Sequence, residues 1–128
     1  MKHNYISAAG LAILVAISSA QTVIAESIAQ DLTTICGWYN TLVSDEKYKN
    51  ASTEVKFQYA FDDKNILSIH YIAMQDFYSA LRTTDANQRY DLMQAYAEGT
   101  LGKKWECPTM KEVMQQFKSL DRKFQYSR

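Results

Sequence analysis

The sequence contains few side chains of the types that carry out catalysis or bind metal ions. One of its two histidines, His3, lies in the extreme N-terminal segment, which leaves His70 as the single imidazole of the remaining chain. There is no Gly-x-Ser-x-Gly motif, no second histidine to activate a cysteine, and no carboxylate spacing of the calcium-loop type. We therefore expect no metal ion, no cofactor and no enzymatic activity, with His70 as an ordinary surface residue. Two acids brought together from distant positions are the one catalytic arrangement that spacing does not reveal.

The two cysteines, Cys36 and Cys107, form the clearest pair in the chain. An exported protein with an even number of cysteines usually oxidises them. The sequence therefore predicts a Cys36–Cys107 disulfide. The bond would close a loop of roughly 70 residues. Closing such a loop restricts the unfolded chain and is expected to add about 4 kcal/mol to the free energy of unfolding.

Export is predicted from residues 1–25. A basic start at Lys2 is followed by an apolar run over residues 8–17 and by small residues that end at Ala20 and Ala25. This pattern is typical of a bacterial Sec-type signal peptide cleaved near Ala25 or Ala20, and the apolar run is short for a retained membrane anchor. We expect residues 26–128 to form one periplasmic or secreted domain, with no integral membrane segment after cleavage.

Charge argues against a nucleic-acid partner. The 14 basic and 14 acidic residues of the whole chain balance, and loss of Lys2 with the signal peptide leaves the domain one negative charge from neutrality. A near-neutral surface of mixed sign lacks the basic footprint that phosphate backbones require.

Residues 53–73 are predicted to form the centre of the fold as a β-hairpin. Large apolar side chains alternate with polar ones along both arms, and residues 62–65 between them have turn composition. The alternating positions are Val55, Phe57, Tyr59 and Phe61 in the first arm and Leu67, Ile69 and Tyr71 in the second. A helix over residues 55–61 is the competing interpretation, because Val55 and Tyr59, like Phe57 and Phe61, are four residues apart.

The elements around the hairpin are predicted from their apolar spacing and from cap signals. Helical periodicity covers residues 26–43 and 72–82, a third helix runs from an Asp85 cap to Gly99 and Gly102, and a fourth begins at Pro108. Alternation returns over residues 121–127, which we expect to add a third strand. The predicted fold class is α+β, with a small antiparallel sheet covered by helices; the alternative is a small all-α domain held by one disulfide.

Aromatic content favours a protein-binding role. The eight tyrosines of residues 26–128 are too many for the core of so small a domain, and exposed tyrosines are favoured at interfaces. We expect a partner surface made by exposed tyrosines and the polar turn, with Tyr59, Asp62, Asp63, Lys64 and Tyr71 as its residues. The predicted function is that of an inhibitor or immunity protein, or of an accessory factor in a secretion or envelope assembly, with another envelope or exported protein as partner.

A different class of function remains as the alternative. Methionines make adaptable linings for apolar cavities, and the domain has four that helices over a sheet would bring together: Met74, Met93, Met110 and Met114. That arrangement would suit a periplasmic binder of an apolar small molecule or of an unfolded client protein.

Overall fold

The computed structural model describes residues 26–120, and every element within that range is helical. Helix α1 is described over residues 26–44. It is followed by α2 (Glu46–Lys49), α3 (Thr53–Ala60), α4 (Asp63–Leu67), α5 (Ile72–Ala80), α6 (Arg89–Leu101) and α7 (Pro108–Gln115). A 3₁₀ turn at Leu81–Thr83 extends α5.

The predicted hairpin is wrong. Its first arm is helix α3, its turn lies at the start of α4, and its second arm spans the end of α4, the link of residues 68–71 and the start of α5. Ser52 caps α3 by accepting the Val55 amide at 3.3 Å, and the Phe57 and Phe61 rings pack one turn apart with centroids separated by 4.9 Å. The alternation of exposure fails as well, since Lys56 is half-buried and Tyr59 is exposed. The apolar side chains of residues 55–61 fit both a four-residue and a two-residue spacing. With the N-cap at Ser52, the four-residue spacing prevails and the segment is helical.

The polar turn of residues 62–65 is also corrected. Asp62 is the N-cap of α4, and its Oδ1 accepts the Lys64 amide at 2.9 Å. The third predicted strand, residues 121–127, lies outside the described residues. No part of residues 26–120 is a strand, so the all-α alternative, and not the α+β fold, is the architecture of this region.

The remaining helices lie close to their predicted positions. Gly102 ends α6 with a left-handed φ of 68°, and Pro108 is in the first turn of α7. Gly99, predicted to help end α6, is inside it, and Asp85 accepts the Asn87 amide in the preceding turn rather than capping the helix. The predicted disulfide is confirmed: Cys36 in α1 is bonded to Cys107, the residue before α7.

The core lies where α1, α5, α6 and α7 meet. Helix α1 buries Ile28, Leu32, Ile35 and Tyr39 along one stripe, as its three- and four-residue spacing predicts. Opposite this stripe lie Met74, Tyr78, Met93, Met110, Met114 and Phe117, none of them more than 1% exposed. The short helices α2, α3 and α4 cover this core and carry the exposed features described next.

Candidate binding site

An open groove of about 500 Å³ lies where α3 meets α4. We call it the corner groove; it is lined by Val55, Phe57, Gln58, Tyr59, Phe61, Asp62, Asp63 and Arg82. Val55 and Tyr59 are four residues apart on α3 and each is 37% exposed. The groove therefore combines an accessible apolar wall with charged residues at one end.

Two side chains from the α5 region hold the corner in place. Helix α3 ends at Ala60, and the carbonyl oxygens at the end of a helix have no partner within the helix. The Tyr78 hydroxyl donates to the Ala60 oxygen at 2.6 Å, and Arg82 Nη2 donates to the Phe61 oxygen at 2.9 Å. The groove is thereby fixed to the hydrophobic core instead of lying on a free loop.

Tyr78 is itself part of a buried chain of hydroxyl groups. Its oxygen lies 2.6 Å from the Tyr39 hydroxyl oxygen. Because the Tyr78 proton points to the Ala60 carbonyl, the Tyr39 hydroxyl donates to Tyr78. Burial raises the pKa of both phenols above the usual value, and for Tyr39 the neighbouring Tyr78 adds to the effect. Both therefore remain neutral hydrogen-bonding groups at physiological pH.

A buried arginine lies behind the aromatic wall of the groove. Arg89 is 2% exposed, its Nε donates to the Leu81 oxygen at 2.7 Å, and its Nη2 donates to the Arg82 oxygen at 3.2 Å. Its guanidinium carbon is 5.2 Å from the centre of the Phe57 ring and 6.0 Å from that of Phe61. Arg89 thus ties the start of the 3₁₀ turn to the rings of the corner groove.

The charged end of the groove is acidic overall. Asp63 is paired with Arg82, whose Nη2 lies 3.1 Å from Asp63 Oδ1, and this pair is largely solvent-exposed. Asp62 uses Oδ1 for the cap of α4. Two carboxylates and one guanidinium leave one excess negative charge among the lining residues.

The structure brings together three of the five predicted partner-binding residues. Tyr59, Asp62 and Asp63 all line the corner groove, whereas Lys64 is exposed on the first turn of α4 and is not part of the lining. Tyr71 is the N-cap residue of α5 and belongs to a different part of the surface. Sequence reasoning missed Arg82, which only the fold places beside Asp63. It also left Val55 out of the partner surface, although its four-residue spacing from Tyr59 could have indicated a shared helix face.

His70 is exposed, in keeping with its prediction as a surface residue, but it has a buried neighbour. The Asp31 carboxylate accepts the His70 amide at 3.0 Å and the Tyr71 amide at 2.9 Å, and His70 Nδ1 lies 3.5 Å from Asp31 Oδ1. These contacts fix the link between α4 and α5 to α1. Within residues 26–120 no three potential ligands of the histidine, cysteine or carboxylate type are grouped to hold a metal ion.

The four methionines predicted as a cavity lining are core residues. Met74, Met93, Met110 and Met114 are 0–1% exposed and belong to one buried cluster. A second, small cavity of about 20 Å³ beside Tyr59 is lined by Trp38, Tyr39, Leu42, Ala60 and Asn65, and so contains none of them. Their packing is that of an ordinary core.

No helix of residues 26–120 has the length and apolar character needed to cross a membrane. We found no match to the chain among protein-family models, curated proteins or solved structures.

Proposed function

We propose that this chain is a small exported, non-enzymatic protein-binding module of the bacterial envelope, and that the corner groove is its partner surface. The partner is another envelope or exported protein. The module acts either as an inhibitor or immunity protein, or as an accessory factor of a secretion or envelope assembly. The export signal predicted from residues 1–25 supports the compartment.

The observation that carries the proposal is the composition of the corner groove. Tyr59 and Val55 are partly exposed on adjacent turns of α3 and line the same groove as Asp62 and Asp63. Tyrosine is enriched among the residues that dominate binding energy because it covers a large area and loses little side-chain entropy. The charged end provides the polar rim that gives an interface its orientation.

Preorganisation is the second line of support. Tyr78 and Arg82 satisfy the two carbonyl oxygens at the corner, so the groove keeps its shape without a partner. A binding surface that is already ordered loses less conformational entropy on association.

The proposal is tested by a change at the groove and an equivalent change elsewhere. Asp62, Asp63 and Lys64 are replaced together by serine, which retains an N-cap at Asp62→Ser. The matched control replaces Asp45, Glu46 and Lys47 by serine. This segment starts α2 with the same arrangement, in which Asp45 accepts the Lys47 amide at 2.8 Å, but it does not line the groove.

The readout combines recovery of a partner from envelope extract with site-specific crosslinking. A photoreactive phenylalanine replaces Tyr59, or exposed Glu112 on α7 as the control position. We expect one partner protein to crosslink at position 59 and not at position 112. Recovery of the same protein from the extract should be lost with the groove serine variant and retained with the α2 serine variant. Retention by both folded variants, or no crosslink at position 59, rules out the groove as the partner surface.

A second function is favoured by one observation. Leu67 and Ile72, on either side of the link between α4 and α5, are 73% and 70% exposed. Exposed apolar side chains of this kind suit a binder of unfolded clients or apolar molecules. Suppression of insulin aggregation that disappears on Leu67→Ser together with Ile72→Ser, or a lipid seen by native mass spectrometry, would support this role over the first.

A further inference from the structure

We infer that the corner groove recognises an arginine side chain of the partner, flanked by aliphatic residues. This inference rests on the proposed function and specifies the chemistry of the partner segment. It follows from the charge of the groove, from its aromatic wall and from its size.

Charge selects a cationic side chain. The lining carries Asp62, Asp63 and one compensating cation, Arg82. Arg82 is shared between the Phe61 carbonyl and Asp63. Within residues 26–120, Asp62 accepts through Oδ1, from the Lys64 amide, and Oδ2 is left as an acceptor for a donor brought by the partner. A cation brought by the partner beside Asp62 would balance the one excess negative charge that the lining side chains carry.

The aromatic wall selects a flat cation. Tyr59 provides a partly exposed ring beside the aspartates. A guanidinium group stacks on aromatic rings and presents several N–H donors in one plane, whereas an ammonium group acts as a compact point charge. The chain itself uses the same pairing on the buried side, where Arg89 lies over Phe57 and Phe61.

The size of the groove leaves room for residues that flank the arginine, and its apolar wall favours aliphatic ones. A volume of about 500 Å³ holds more than one side chain and lies within the range of roughly 300–1,000 Å³ found for ligand pockets. Val55 and the Tyr59 ring form an apolar wall away from the carboxylates. Aliphatic neighbours of the arginine would cover this wall and exclude water from the ion pair.

The test uses two capped peptides that differ only in charge. Ac-Ala-Leu-Arg-Leu-Ala-NH₂ is compared with the same peptide containing citrulline, the neutral isostere of arginine, by ¹H–¹⁵N NMR titration of the whole domain. We expect amide shifts for residues 55–63 and 82, and about tenfold weaker binding of the citrulline peptide, the factor for one charge-assisted pair. Raising the salt concentration is expected to weaken binding of the arginine peptide more than binding of the citrulline peptide.

Asp62→Asn links the effect to the groove. Asparagine remains a good N-cap, so α4 is retained while the charge is lost, and the arginine peptide is expected to bind about as weakly as the citrulline peptide. Asp45→Asn, the same change at the cap of α2, is the control and is expected to leave binding unchanged. If Asp62→Asn lowers the melting temperature, Asp63→Asn replaces it.

Equal affinity for the two peptides, no binding of either, or shifts centred away from the groove would each overturn the arginine inference. In those cases a protein that still crosslinks at position 59 keeps the proposed function intact. Loss of that crosslink is the separate result that removes the proposed function.

Discussion

The hydroxyl oxygens of Tyr39 and Tyr78 lie 2.6 Å apart in the core, and the Tyr78 hydroxyl donates a hydrogen bond to the Ala60 carbonyl oxygen. This relay links α1 through α5 to the end of α3. One side chain therefore connects the rigid part of the core with the wall of the corner groove, and the direction of the two hydrogen bonds makes the two tyrosines unequal.

Tyr78→Phe is expected to cost about 1–3 kcal/mol in the free energy of unfolding, because the Ala60 carbonyl and the Tyr39 hydroxyl are both left buried without this partner. Tyr39→Phe removes only the donor at the start of the relay and is expected to cost less. Urea denaturation of the two variants measures the difference. A similar loss in exposed Tyr59→Phe would show that the relay is not the cause.

Stability is expected to fall at alkaline pH. The folded state raises the pKa of Tyr39 and Tyr78, so it keeps both protons at a pH where the unfolded chain releases them. Stability from these groups is complete below the unfolded tyrosine pKa of about 10 and declines as the pH rises above it. Denaturation curves between pH 8 and 11 should reveal the decline, and the double Tyr39→Phe, Tyr78→Phe variant should show a shallower one.

Loss of the disulfide is expected to lower the free energy of unfolding by about 2–5 kcal/mol. The comparison is between the native chain and the Cys36→Ser, Cys107→Ser double variant, with denaturation followed by far-UV circular dichroism. The unreduced native protein should not react with an alkylating reagent, since residues 26–120 contain no free cysteine. Labelling of both cysteines in folded monomer would contradict the bond.

Asp31→Asn is expected to destabilise the protein by about 1–3 kcal/mol. Asp31 is buried and accepts two backbone amides, from His70 and Tyr71, and an amide side chain presents only one acceptor oxygen to them. Faster hydrogen exchange of these two amides would localise the effect. Asp76→Asn, an exposed change on α5, should be neutral, and equal effects from both would contradict the assignment.

Local signals in the sequence were sufficient for much of the fold. The apolar stripe of α1, the proline that starts α7 and the glycine that ends α6 act within a few residues of where they stand, so their positions follow from spacing. The two cysteines were paired from number and compartment alone, and the structure confirms that bond.

The hairpin was misjudged because residues 55–61 satisfy two periods at once. Large side chains fall at every second and every fourth position, and aromatic content favours a strand. A long-range contact helps to determine the outcome: the Phe57 ring packs edge-on against Phe117 with centroids 5.3 Å apart. The Ser52 cap was the local signal that could have indicated a helix.

Part of the candidate site was predictable and part was not. Tyr59, Asp62 and Asp63 are close in sequence and remain close on consecutive helices, so a local argument found them even with the wrong secondary structure. Arg82 reaches the groove from the 3₁₀ turn, and Arg89 is buried against the aromatic rings of the groove. These contacts join residues far apart in the chain, so local spacing in a single sequence does not predict them.

The Cys36–Cys107 bond, which joins residues 71 positions apart, also determines how the molecule carries mechanical load. Tension between α1 and α7 passes through the covalent bridge, so the intervening helices, with the corner groove among them, lie outside the line of force. Stretching the oxidised protein leaves that region a closed ring of fixed contour length. A partner that pulls on the groove would instead apply force to residues inside this ring. The hydrogen bonds of Tyr78 and Arg82 to the carbonyl oxygens of Ala60 and Phe61 would resist that force.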